Sequence, residues 1–144
     1  MTQLERPRVF LDANVLFAGA KRDAAIAELL KRAKNHFSLC TSDFARIEAE
    51  RHLTLKRPDW LSSFSDLMTH VEETPSASLP VNVELPAKDL PILSTAIARR
   101  CVYLVTGDRT HFGPFYNHTH HGVRVVSPAH FASIVVAAEA EGGG

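Results

Sequence analysis

What the chain lacks narrows its class first. It carries no excess of charge, with 16 Lys and Arg against 16 Asp and Glu in 144 residues. Domains that grip DNA by phosphate contacts alone are usually strongly cationic, so neutrality argues against that class. Cysteine is nearly absent: Cys40 and Cys101 are the only two, each inside an apolar run and without Cys-x-x-Cys spacing. Such a pair reads as buried thiols of a cytosolic protein rather than a disulfide or a zinc site. No apolar run is long enough to span a bilayer. The stretch from Val9 to Ala20 is broken by Asp12 and Asn14 and has no small-residue cleavage site, so no signal peptide is expected. There is no internal repeat.

What is present fits one folded domain. A chain that is 45% hydrophobic and 22% charged is not disordered, and at this length it can bury about two thirds of its unfolded surface. Residues 1–141 are expected to form a single domain, and the Gly142-Gly143-Gly144 tail is expected to be disordered.

Strand-like apolar runs alternate with segments of helical period, the pattern of an α/β domain with a mainly parallel sheet. Strands are expected at Arg8 to Leu11, Phe37 to Cys40, Cys101 to Val105 and Arg124 to Val126. The proline-rich connection from Glu72 to Pro86 leaves room for at most one short edge strand, near Val81-Asn82-Val83. Helices are expected from about Asn14, over Asp23 to Lys34, Asp43 to Lys56 capped at Thr41-Ser42, Asp59 to His70, Leu90 to Arg100, and Ser127-Pro128 to Glu139. The segment after Thr106-Gly107-Asp108, which contains Gly113-Pro114 and four histidines, reads as a loop leading to the strand at Arg124.

In an open parallel sheet, ligands bind where loops leave the strand C-termini. Four acids fall at that edge: Asp12 after the first strand, Glu48 in the helix after the second, Asp89 before the helix leading to the fourth, and Asp108 after it. Asp12 lies in an apolar segment where a charge is costly unless paired or bound to a cation. At about 100° per residue Glu48 lies about 40° from Phe44 and 100° from Ile47, bordering the expected apolar face, whereas Glu50 falls on the far side. Taken alone, Asp89 is better read as a helix N-cap, and Asp108 reads equally well as a turn residue. Together the four suggest a hard-oxygen site for a divalent cation such as Mg²⁺ or Mn²⁺, which would neutralise their mutual repulsion.

Five segments, Val9-Phe-Leu-Asp-Ala-Asn-Val-Leu16, Thr41-Ser-Asp-Phe-Ala-Arg-Ile-Glu48, Asp89-Leu-Pro-Ile-Leu-Ser-Thr-Ala-Ile97, Tyr103-Leu-Val-Thr-Gly-Asp-Arg109 and Val125-Val-Ser-Pro-Ala-His-Phe131, resemble in content and order those of the PIN-domain ribonucleases, in particular the VapC-like toxins of bacterial toxin–antitoxin pairs. The resemblance implies a Rossmann-like five-stranded sheet in the order 3-2-1-4-5 and metal-dependent endonucleolytic hydrolysis of RNA in the cytoplasm, leaving a 5′-phosphate and a 3′-hydroxyl. It assigns Asp12, Glu48, Asp89 and Asp108 to the catalytic metal, Asn14 and Thr106 to polar support, and Ser42 to the hydroxyl that begins the second segment. A protein antitoxin and a homodimer are the partners it implies. Lys88 stands where the family often carries another acid, which bears on a second metal.

Lys88 and Arg109, with Arg99 and Arg100, could flank an RNA path; surface ion pairing is the alternative, and it is the better reading for Arg99-Arg100 at a helix C-terminus. His111, His118, His120 and His121 lack the cysteines or ordered acids of a zinc site and read as a solvated loop or part of a histidine-rich RNA contact. Phe112, Phe115 and Tyr116 could stack on bases or anchor their loop. Trp60, Phe64, Leu67 and Met68, with Ile26, Leu29 and Leu30, read as core, or by resemblance as a groove for an antitoxin segment. Two other functions remain: a non-catalytic PIN-type RNA- or protein-binding module, if the acids fail to converge, and a haloacid-dehalogenase-like phosphatase. The latter needs a second acid two residues after Asp12, where this chain has Asn14. Setting the four acids aside leaves 12 against 16 bases, so the neutral total conceals a mildly basic remainder.

Overall fold

The computed structural model describes residues 6–79 and 83–142. Six strands, β1 (Arg8–Leu11), β2 (Ser38–Ser42), β3 (Glu72–Thr74), β4 (Tyr103–Val105), β5 (Thr119–His120) and β6 (Val123–Val126), form one sheet in the order β3-β2-β1-β4-β6-β5. All pairings are parallel except that of β5 with β6. Val9, Phe10 and Leu11 of β1 are completely buried, as a central parallel strand covered on both faces requires.

The helices α1 (Ala13–Gly19), α2 (Ala25–Ala33), α3 (Asp43–Lys56), α4 (Leu61–Met68), α5 (Leu90–Ala98), α6 (Arg109–Phe112) and α7 (Pro128–Gly142) cover the sheet. Phe112 and Phe131, both fully buried, carry α6 and α7 into the core. Truncating such a ring to Ala costs about 3–5 kcal/mol. Ser42 ends β2 and starts α3, its hydroxyl accepting a hydrogen bond from Ala45 N at 3.1 Å, a cap worth about 1 kcal/mol.

The expected α/β architecture stands, with differences that have local causes. The sheet has six strands rather than five, because two residues of the histidine-rich loop, Thr119 and His120, fold back on β6. The third strand lies at Glu72–Thr74, earlier than expected. Its glutamates face solvent at the edge, where Glu73 pairs with Arg46, so it lacks an apolar signature. Of the expected site for that strand, Val81 and Asn82 lie outside the described residues and Val83 is in a bend. The helix expected from Asp59 divides into a 3₁₀ turn, Pro58–Trp60, and α4. The segment after β4 is not a plain loop: it holds α6 and a second 3₁₀ turn, Gly113–Phe115. The last helix extends past Glu139 to Gly142, and Gly143-Gly144 lie outside the described residues.

The face of α3 is also corrected. Its buried stripe is Ala45, Ala49 and Leu53, whereas Phe44 and Ile47 are 38% and 45% exposed. Small alanines let α3 pack closely against α1 and the sheet, and the larger residues turn outward. Glu48 is half-buried, but it borders an alanine seam and not the expected aromatic face. Cys40 and Cys101 are buried, free thiols with Sγ atoms 3.5 Å apart. Among the described residues no helix is long and apolar enough to cross a membrane.

Candidate functional site

The register of the sheet sets the first half of the site. Leu11 pairs with Val105, and Asp12 N then donates to Val105 O at 3.1 Å, so Asp12 and Thr106 emerge side by side at the C-terminal edge. The chain reverses its winding between β1 and β4, the place where a parallel sheet opens a crevice. Asp12 also caps α1, its Oδ1 accepting from Ala13 N at 2.7 Å. Oδ2 accepts from Thr106 Oγ1 at 2.7 Å and from Asn14 Nδ2 at 3.3 Å. Asn14 Oδ1 in turn accepts from Gly107 N at 2.8 Å, and Thr106 Oγ1 from Asp108 N at 3.1 Å. Asn14 and Thr106 thus hold one carboxylate and tie it to the loop carrying Asp108. Burial raises the Asp12 carboxyl from 3.8 to about 6 despite the Thr106 and Ala13 hydrogen bonds, and the negative charges of Glu48 and Asp89 add to the rise.

The second half is arranged differently. Asp89 sits at the N-cap position of α5, yet its side chain makes no capping hydrogen bond, which overturns the cap as its explanation. It is 8% exposed, and its Oδ2 has no hydrogen-bond partner. Burial raises its pKa, with Asp108 and Glu48 adding to the rise and His111 and Lys88 opposing it. Asp108 caps α6 by accepting from His111 N at 3.1 Å. The His111 ring then folds back so that Nδ1 lies 2.9 Å from Asp108 Oδ2 and 3.0 Å from Asp89 Oδ2. Asp89, Asp108 and His111 form a group whose ligating atoms all lie within 4.8 Å of one another.

Of the residues singled out in the sequence, Asp12, Asn14, Thr106, Asp89 and Asp108 are brought to one edge. Glu48 adds its charge to that of both Asp12 and Asp89, although neither it nor Asp12 belongs to the tight group. Ser42 is buried and its hydroxyl serves the α3 cap. Lys88 and Arg109 are exposed. Phe112 is fully buried and the Tyr116 hydroxyl donates to Thr106 O at 2.7 Å, so both anchor the loop beneath the site. His120 packs edge-on against Phe115, and its pKa is lowered by burial and by His118 and His121. His111 alone of that loop joins the acids. Its spacing of three from Asp108 was the available signal, masked by the neighbouring histidines.

An unpaired carboxylate oxygen in a buried position costs on the order of 1–3 kcal/mol. A divalent cation removes that cost without demanding the direction of an N–H, and carboxylate oxygens with one imidazole nitrogen are an acceptable donor set for it. The residues therefore fit a divalent metal.

No protein-family model matches the chain, and no curated protein matches it. Among solved structures it is similar to the crystal structure of VapBC2 from Rickettsia felis bound to a DNA fragment from their promoter, at 14% identity and a TM-score of 0.64 over 83% of this chain and 98% of that one. A likeness at that identity shows the fold, a PIN-like α/β domain.

Proposed function

We propose that the protein is a metal-dependent endoribonuclease acting as the toxin of a toxin–antitoxin pair. The observation that carries this reading is the buried Asp89 Oδ2 without a hydrogen-bond partner, set beside Asp108 at the edge where Asp12 follows β1. Asp12, Glu48, Asp89 and Asp108 would hold Mg²⁺ or Mn²⁺. Such an ion, when bound, lowers the pKa of a coordinated water and offsets charge on a phosphodiester.

The chain's own residues supply the rest. Asn14 and Thr106 fix the Asp12 carboxylate in one rotamer, so no reorganisation is needed when substrate arrives. Asp108, tied down by the backbone of α6, holds its outer oxygen toward Asp89. Lys88 and Arg109, exposed at the rim, would meet the flanking phosphates of an RNA strand. The ribonuclease reading places the protein in the cytoplasm and is compatible with the homodimer implied by the sequence resemblance.

A partner segment has a candidate seat away from the acids. Between α2 and α4 lies a groove of about 240 Å³, floored by Ala27, Leu30, Leu39 and Leu67 and rimmed by Lys31 and Lys34. An amphipathic segment with acidic flanks matches that chemistry, as an antitoxin tail would. A short neighbouring reading frame encoding a DNA-binding fold would support the pairing.

The test is Mn²⁺-dependent cleavage of structured RNA by the wild type, Asp12→Asn and Asp108→Asn. The wild type is expected to leave 5′-phosphate ends, and both variants to lose cleavage. Equal activity in all three would refute the ribonuclease reading and leave a binding module as the better description.

A further inference from the structure

His111 is the one group at the acid cluster that the ribonuclease reading does not use. Its Nδ1 stands 2.9 Å from Asp108 Oδ2 and 3.0 Å from Asp89 Oδ2. Adjacent donors in an octahedral shell with bonds of about 2.1 Å are separated by about 3.0 Å. Both separations match such an edge. They also match a hydrogen bond, and direction decides between the two descriptions. An imidazole N–H points one way, in the plane of the ring. A proton on Nδ1 would meet Asp108 Oδ2 and leave Asp89 Oδ2, at nearly the same distance, without a hydrogen bond. A cation among the three atoms would serve all of them at once.

We propose that His111 Nδ1, as a neutral lone-pair donor, is a ligand of the divalent cation held by Asp89 and Asp108, so that the centre favours a first-row transition ion over Mg²⁺. The inference rests on the metal-site reading above and assigns the imidazole a place in it. The local chain supports the assignment. Asp108 accepts from the His111 backbone N–H, and the four-residue α6 is anchored by fully buried Phe112, so the ring and both carboxylates are fixed by one short segment and the start of α5. Mg²⁺ draws its affinity from oxygen donors and retained waters, whereas transition ions gain from imidazole. Mn²⁺ is the weakest binder of that series, so a preference over Mg²⁺ measured with Mn²⁺ sets a lower limit.

The experiment uses the full chain and metal alone. Pulsed EPR of the Mn²⁺-loaded protein should show ¹⁴N coupling from a directly bound imidazole, and that coupling should vanish in His111→Ala. Titration calorimetry should show Mn²⁺ affinity falling by about tenfold or more in His111→Ala while Mg²⁺ affinity changes by less than about twofold. His111 lies at the surface, 30% exposed at its side chain, and His111→Asp provides a second variant that should keep both ions and lose only the nitrogen signal. Mn²⁺ binding with no ¹⁴N coupling, or an equal loss of both ions in His111→Ala, would overturn the His111 assignment and leave the carboxylate site intact. No Mn²⁺ binding at all would overturn both.

Discussion

The two halves of the acid cluster solve opposite parts of one problem. Asp12 has every geometric need met, with donors from Ala13, Asn14 and Thr106, yet among the described residues no cationic side chain offsets its charge and burial drives its pKa up to about 6. Asp89 and Asp108 both lie against the His111 imidazole, yet one buried oxygen of Asp89 has no hydrogen bond. Hydrogen bonds orient a carboxylate without neutralising it, and a nearby ring lowers repulsion without satisfying each lone pair. A divalent cation would supply the Asp89–Asp108 half with the lone-pair partner it lacks.

The largest expected effect tests whether the under-satisfied half is the working one. Asp108→Asn should reduce Mn²⁺-dependent RNA cleavage by about a thousandfold, the several kcal/mol that a metal contributes to phosphate charge stabilisation. Initial rates on a structured RNA would measure it, and a loss of less than about tenfold would break the contrast.

Next comes the charge cost of the oriented half. The folded-state pKa of Asp12, about 6, lies above its unfolded value of 3.8. Below pH 4 the group is protonated in both states and its full contribution is present. As pH rises from about 4 to 6 the unfolded chain releases the proton first, so stability falls. The loss amounts to about 3 kcal/mol and levels off above pH 6. Urea unfolding in chelator should show this slope for the wild type and a reduced one for Asp12→Asn.

The sequence made parts of this site legible and hid others for physical reasons. Asp12, Thr106 and Asp108 stand at strand ends, where an apolar run gives way to a polar residue and the sheet must open. Asp89 was undervalued because its position is that of a cap, and only coordinates reveal that its side chain does not cap. Glu48 was identified from a helical wheel whose apolar face was misassigned, since alanines and not Phe44 and Ile47 are buried. β3 had no signal, because an edge strand of Glu-Glu-Thr has one side in water. The role of His111 depends on a four-residue helix too short to read from periodicity.

Two smaller effects sharpen the comparison on the stability side. Thr106→Val removes the shorter of the two side-chain donors to Asp12 without changing shape much, and should cost about 2 kcal/mol by leaving a buried carboxylate oxygen less satisfied. Asp89→Asn in metal-free protein should shift stability by less than about 1 kcal/mol, since the lost charge relieves repulsion and no hydrogen bond to Oδ2 is broken. Thermal unfolding of both variants in chelator would rank them, and the reverse order would refute the division into a held half and a waiting half.

The bond from Thr106 to Asp12 spans 94 positions of the chain, and this has a consequence for biosynthesis. The residues that line the α2–α4 groove run from Gly19 to His70 and are all synthesised before Thr106. Asp12 is made earlier still, but Thr106, and Asp108 with it, arrives only after about ninety further residues, a separation of 94 positions for Thr106. The surface that could receive a partner is thus synthesised before the acidic edge can close, and a shorter nascent chain carries Asp12 without its Thr106 donor.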